Sequence, residues 1–164
     1  MQTLFIGGIK SGKSRNAEEY ILKHSLCKPI YLATNEVFDE GMTQRVQAHK
    51  EQRKNNFITI EEPLKLFSTI KKQDTHVLVE CVSMWINNML FHKRSEKEIL
   101  EHIEQINALH VDIVWVINDV SCSVVSENKL VRDFVDINGR VSQLLASTCE
   151  KVFSTVAGIS LQIK

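Results

Sequence analysis

The sequence is poor in the residues that interrupt a fold. Two prolines and six glycines in 164 residues, with no tract of low complexity, leave no linker, and no segment repeats. One continuous domain over residues 1–164 is expected. Cysteine is scarce and scattered, at Cys27, Cys81, Cys122 and Cys149, with no CxxC pair. That spacing argues against a zinc cage and suits reduced thiols. No run approaches the ~18 uninterrupted apolar residues of a membrane span, and the apolar start is too short for a signal peptide, so a cytoplasmic chain with no membrane contact is expected. Neither charge is in excess, with 20 Lys plus Arg against 20 Asp plus Glu. No overall field draws the chain to nucleic acid, and an anionic ligand must be gripped locally.

What is present is an alternation of short apolar runs with helical patterns. TLFIGG (3–8) is an apolar run closed by glycines, and SRNAEEYILKH (14–24) carries Ala17, Tyr20, Ile21 and His24 at helical spacing. PIYLAT (29–34), FITIEE (57–62), HVLVECV (76–82) and DIVWVIND (112–119) read as strands. The unbroken apolar character of HVLVECV predicts a central strand covered on both faces. Helical periodicity marks 39–54, a short piece at Leu64, Phe67 and Ile70, and 84–91. It marks 95–110 as well, where Ser95 and Glu98 spell a capping box. The pattern over 128–151 is one helix or two, and VFSTVA and ISLQIK close the chain as candidate strands. Strands alternating with helices predict an α/β fold, a mostly parallel sheet with helices on both faces.

GGIKSGKS, residues 7 to 14, fits G-x-x-x-x-G-K-[ST] at the junction of the first strand and the first helix. Chance produces such a match in a chain this long with odds of about one in a hundred. The chemistry needs these residues at this spacing. Gly7, Gly8, Ile9, Lys10, Ser11 and Gly12 can curl their backbone N–H groups around a phosphate, and the helix start adds partial positive charge. Lys13 reaches the outer phosphates of GTP or ATP, and Ser14 offers a hydroxyl to Mg2+. Such a site wants an acid at the end of a neighbouring strand. Glu80, ending HVLVE, is the best placed candidate, the alternative being an acid that merely marks the strand's exit into solvent, and Asp119, ending DIVWVIND, is the rival carboxylate.

RVQAHKEQR, residues 45–53, reads by itself as a solvated helix face with one histidine. Set beside GGIKSGKSRNAE, YLAT, VECVSMWINNMLF, NDV, ENKLVRDFVDINGRVSQLLA and AGISLQIK, it completes a resemblance across nearly the whole chain. The sequence resembles the bifunctional adenosylcobinamide kinase and adenosylcobinamide-phosphate guanylyltransferase family of cobalamin biosynthesis. That resemblance implies a P-loop fold, a nucleoside triphosphate and a corrinoid as substrates, and a homotrimer with the nucleotide site near a subunit boundary. It further implies that His49 accepts GMP from GTP within an R-[IV]-x-x-H-[RK]-x-x-R pattern, matched by Arg45, Val46, His49, Lys50 and Arg53. Helical spacing would set Arg45, His49 and Arg53 on one face able to meet a triphosphate.

The match departs in places. Where the family reads Asn-Glu-Val-Gly-x-Gly-Ile-Val-Pro, this chain has NDVSCSVVS from 118 to 126, without either glycine or the proline. Val135 and Ser142 stand where family members tend to carry arginine and asparagine. Four other histidines, His24, His92, His102 and His110, and both tryptophans read as structural. Two other functions stay open on these residues: a small-molecule kinase that does not use His49, and a nucleotide-binding relative without turnover.

Overall fold

The computed structural model describes residues 1–36, 55–121 and 125–164. In chain order its elements are β1 (Gln2–Gly7), α1 (Lys13–His24), β2 (Ile30–Ala33), β3 (Ile58–Glu61), α2 (Leu66–Ile70), β4 (Val77–Glu80), α3 (Val82–Phe91), α4 (Glu96–Asn107), β5 (Ile113–Asn118), α5 (Lys129–Thr148), β6 (Lys151–Val156) and β7 (Ile159–Gln162). Among the described residues the strands form one sheet in the order β3-β2-β4-β5-β1-β6-β7. Every pairing is parallel except β6 with β7, which are antiparallel.

The apolar pattern explains the two-sided sheet. Along β5, Ile113, Trp115 and Ile117 pack into one core with residues of α2, α3, α4 and α5. The alternate residues Val114 and Val116 pack into a second core with Ala17 and Ile21 of α1. Strict alternation of faces with apolar residues on both is what a strand buried between helical layers requires. The tryptophans anchor the larger core. Trp85 and Trp115 are fully buried, and each indole N–H is satisfied, by the Leu64 carbonyl at 3.0 Å and the Gln2 side chain at 3.1 Å. Truncating either to alanine would cost about 3–5 kcal/mol.

The helix boundaries follow local chemistry. Ser95 caps α4 with the reciprocal capping box its sequence spells, and Asn128 caps α5 through its side chain onto Leu130 N–H. The 128–151 pattern forms one helix, because Ile137, Val141 and Leu145 keep one buried stripe throughout. Two expected boundaries move. The strand expected over 76–82 stops at Glu80, and Cys81 becomes the N-cap of α3, which starts at Val82 instead of Met84. An apolar run cannot by itself distinguish the end of a buried strand from the start of a buried helix. β4 lies inside the sheet between β2 and β5, as its sequence predicts. The helical pattern at 39–54 falls entirely outside the described residues, as does the centre of the altered 118–126 segment.

Candidate active site

β1, β4 and β5 end on one edge of the sheet. Gly7 is in register with Asn118, and Glu80 with Val116. The chain leaves β1 into a loop that closes on itself, with Ser11 N–H donating to the Gly8 carbonyl at 3.2 Å. Lys10 adopts φ 59° and Gly12 φ 94°. The second of these is the N-cap of α1, a left-handed position that favours glycine. Gly7 answers a different demand, since a Cβ there would overlap the Thr155 carbonyl oxygen and crowd the Ser11 hydroxyl. The Ser11 hydroxyl is itself buried without a hydrogen-bond partner among the described residues.

Lys13, at 7% exposure, is the most buried lysine of the loop region. Its Nζ donates to the Gly8 carbonyl at 3.3 Å, which folds the ammonium back over the loop. Ser14 Oγ donates to Glu80 Oε1 at 2.7 Å. Asp119, the rival acid, is engaged elsewhere: its Oδ1 accepts from Ser121 N–H at 3.0 Å and from Ser121 Oγ at 2.5 Å. A hydroxyl and a carboxylate are the hard oxygen donors that magnesium prefers, and this ion is commonly held by one or two protein oxygens together with substrate phosphates. The donor set at Ser14 and Glu80 fits that ion.

Several supporting residues were not singled out from the sequence. Thr34, fully buried at the end of β2, accepts from Cys81 N–H at 2.9 Å and donates to the Cys81 carbonyl at 2.8 Å. It clasps the peptide that follows Glu80, a bond that is cis. Asn88 holds Thr34 in turn, donating to its carbonyl at 2.7 Å. Behind β5, Ser83 Oγ donates to Asn138 Oδ1 at 2.7 Å and accepts from Asn118 N–H at 3.0 Å. Asn138 then donates to the Asn118 carbonyl at 3.0 Å. The signal for this network was available, because Asn138 sits between Ile137 and Val141 on the buried stripe of α5. Burial raises the Cys81 thiol pKa, and the neighbouring Glu80 charge adds to that.

A cleft of about 320 Å3 lies elsewhere, lined by residues including Lys65, Arg94, Glu98 and His102. None of the expected site residues that the structure describes lines it. The loop residues 7–14 and Glu80 are therefore brought together by the sheet edge, while Arg45, His49 and Arg53 lie outside the described residues.

The model of the family "cobinamide kinase / cobinamide phosphate guanyltransferase" matches residues 3–163. The chain belongs to this family. It is 34% identical over 170 residues to the bifunctional adenosylcobalamin biosynthesis protein CobP of Pseudomonas aeruginosa, covering 100% of this chain and 98% of the relative. It is 33% identical over 183 residues to the bifunctional adenosylcobalamin biosynthesis protein CobU of Escherichia coli, covering 100% of both. In fold the chain is similar to the flagellar accessory protein FlaH of Methanocaldococcus jannaschii, at a TM-score of 0.51 and 12% identity, over 98% of this chain and 75% of the other.

Proposed function

We propose that this chain phosphorylates adenosylcobinamide and then transfers GMP from GTP to adenosylcobinamide phosphate, giving adenosylcobinamide-GDP through a guanylylated His49. The observation that carries the reading is the Ser14 to Glu80 hydrogen bond beneath a glycine loop, in a chain whose family match spans residues 3–163. In the kinase step the substrate hydroxyl oxygen bonds the γ-phosphorus as the bridging oxygen to the nucleoside diphosphate departs, and the hydroxyl proton is released. The loop N–H groups and Lys13 stabilise charge on the phosphoryl oxygens, so positioning supplies most of the catalysis. Ser14 and Glu80 would hold Mg2+, which when bound neutralises the charge of the outer phosphates.

In the guanylyl transfer, a neutral imidazole nitrogen of His49 bonds the α-phosphorus of GTP, and pyrophosphate leaves. A phosphate oxygen of adenosylcobinamide phosphate then displaces the imidazole, which returns neutral. Arg45 and Arg53 supply cations for the triphosphate. The family resemblance supports a homotrimer, and the use of GTP supports a cytoplasmic setting. Among the described residues no helix is long and apolar enough to cross a membrane.

The test is labelling with GTP carrying label on the α-phosphate. Wild type should take up an acid-labile label and His49→Ala none, while His49→Ala still phosphorylates adenosylcobinamide. Label retained by the variant removes His49 from the mechanism. Phosphorylation by a wild type that never becomes labelled leaves a kinase alone.

A further inference from the structure

We propose that Asn16 is a positioning residue of the phosphate loop, acting through the turn between β6 and β7. The proposal rests on the reading of residues 7–14 as the nucleotide site. The turn residues Ala157 and Gly158 both have positive φ, 51° and 84°, between the paired residues Val156 and Ile159. Two left-handed residues in succession make the tight hairpin whose twist matches its strands. An alanine in that conformation is strained by roughly 1–2 kcal/mol, so the surroundings must hold the turn in place.

Those surroundings are the loop itself. Gly158 N–H donates to the Ser11 carbonyl at 2.7 Å. A Cβ added to Gly12 would stand 2.9 Å from Gly158 Cα. In a trans peptide the carbonyl and the following N–H point in opposite directions. Binding the Ser11 carbonyl to the hairpin therefore turns the Gly12 N–H away from the hairpin. One phosphate donor is thus aimed by a residue almost 150 positions later in the chain, before any nucleotide arrives, which is the preorganisation that makes such donors effective.

Asn16 ties the two pieces together. Its backbone N–H donates to the Gly12 carbonyl at 3.1 Å. Its side-chain Nδ2 donates to the Gly158 carbonyl at 3.0 Å and to Ser160 Oγ at 2.8 Å. Ser160 Oγ lies 2.8 Å from Thr155 Oγ1, and the carbonyl of Thr155 is the atom that excludes a side chain from Gly7. An amide suits this place because both of its N–H groups have acceptors. A carboxylate would face the Gly158 carbonyl with no proton to give.

The experiment measures the GTP dissociation constant, the kinase kcat and the KM for adenosylcobinamide in wild type, Asn16→Ala and Ser160→Ala, each with a thermal melt. Losing the Nδ2 bonds should weaken GTP binding by about five- to tenfold in Asn16→Ala, and by about two- to fivefold in Ser160→Ala, as the net value of one or two hydrogen bonds implies. KM for the corrinoid should not move. A residue that serves stability alone would lower the melting temperature and leave the affinity of the folded protein as it was. Unchanged GTP affinity in a folded Asn16→Ala overturns the proposal. Should Asn16→Ala fail to fold, Ser160→Ala decides: weakened binding supports the proposal and wild-type binding overturns it. A wild type that binds no GTP would sink the reading of the loop itself.

Discussion

Ser14 and Glu80, 66 positions apart, meet through a 2.7 Å hydrogen bond at the edge of the sheet. The contact exists because β4 lies two places from β1 with only β5 between them, and because β4 stops at Glu80 while α1 starts one residue before Ser14. A hydroxyl and a carboxylate converge beside the start of a helix, where partial positive charge already favours phosphate. Sheet order, and not proximity in sequence, brings Glu80 to Ser14.

Glu80→Gln keeps an oxygen able to accept from Ser14 and removes the charge. The kinase kcat should fall roughly 10- to 100-fold at fixed magnesium, the usual cost of disturbing a metal's immediate surroundings. GTP binding measured with EDTA should be unchanged. Asp119→Asn should do much less, since that carboxylate is occupied by Ser121. Equal losses in the two variants would reverse the assignment.

Two glycines of the loop make opposite predictions. Gly12 has φ 94°, and its missing side chain leaves room for the Gly158 backbone, which cannot swing aside as a flexible side chain would. Gly12→Ala should lose at least ~1–2 kcal/mol of unfolding free energy from backbone strain alone, together with GTP binding. Around Gly8 nothing lies within 4 Å of an added Cβ, so Gly8→Ala should unfold at the wild-type urea midpoint. A Gly12→Ala protein with wild-type stability would mean that the loop is not held as described.

Much of the fold was legible because its signals are periodic. The two-faced apolar runs of β4 and β5, the stripe of α5 and the Ser95 to Glu98 capping box all state their structure within a few residues. The loop over residues 7–14 stood out for a similar reason, since its motif is contiguous. The Ser14 to Glu80 contact required the sheet order, which local pattern does not encode; Asp119 bonds Ser121 instead. The end of β4 was misread because Cys81 and Val82 are as apolar as the strand before them. Asn16, Thr34 and Asn138 were passed over because the side chain of each acts through partners 20 or more positions away.

The thiols should separate by burial. Cys27 is exposed, whereas Cys149 is buried, and burial pushes the Cys149 pKa up to about 12. The thiolate is the reactive form, so brief iodoacetamide treatment near pH ~8 should alkylate Cys27 well before Cys81 or Cys149. Peptide mass spectrometry reads the order directly. Rapid alkylation of Cys149 in the folded protein would contradict the packing of α5 against the sheet.

His102 should make stability depend on pH between neutrality and mild acid. Its Nε2 accepts a hydrogen bond from Phe67 N–H at 3.1 Å, so the folded chain requires that nitrogen to be unprotonated. Burial holds its pKa below the usual histidine value, with a smaller opposing pull from Glu62. The unfolded chain therefore binds the proton first as pH falls. The contribution of His102 is complete above the ordinary value of 6.5 and is lost as pH drops through that value toward the depressed one. His102→Leu removes both the acceptor and the titration. It should be less stable than wild type at neutral pH, by about 1 kcal/mol or more for the stranded Phe67 N–H. The gap between the two should narrow as pH falls from about 7 to about 5. Urea titrations of both proteins at several pH values give the comparison, and a gap that widens toward acid would show that His102 is protonated in the folded protein.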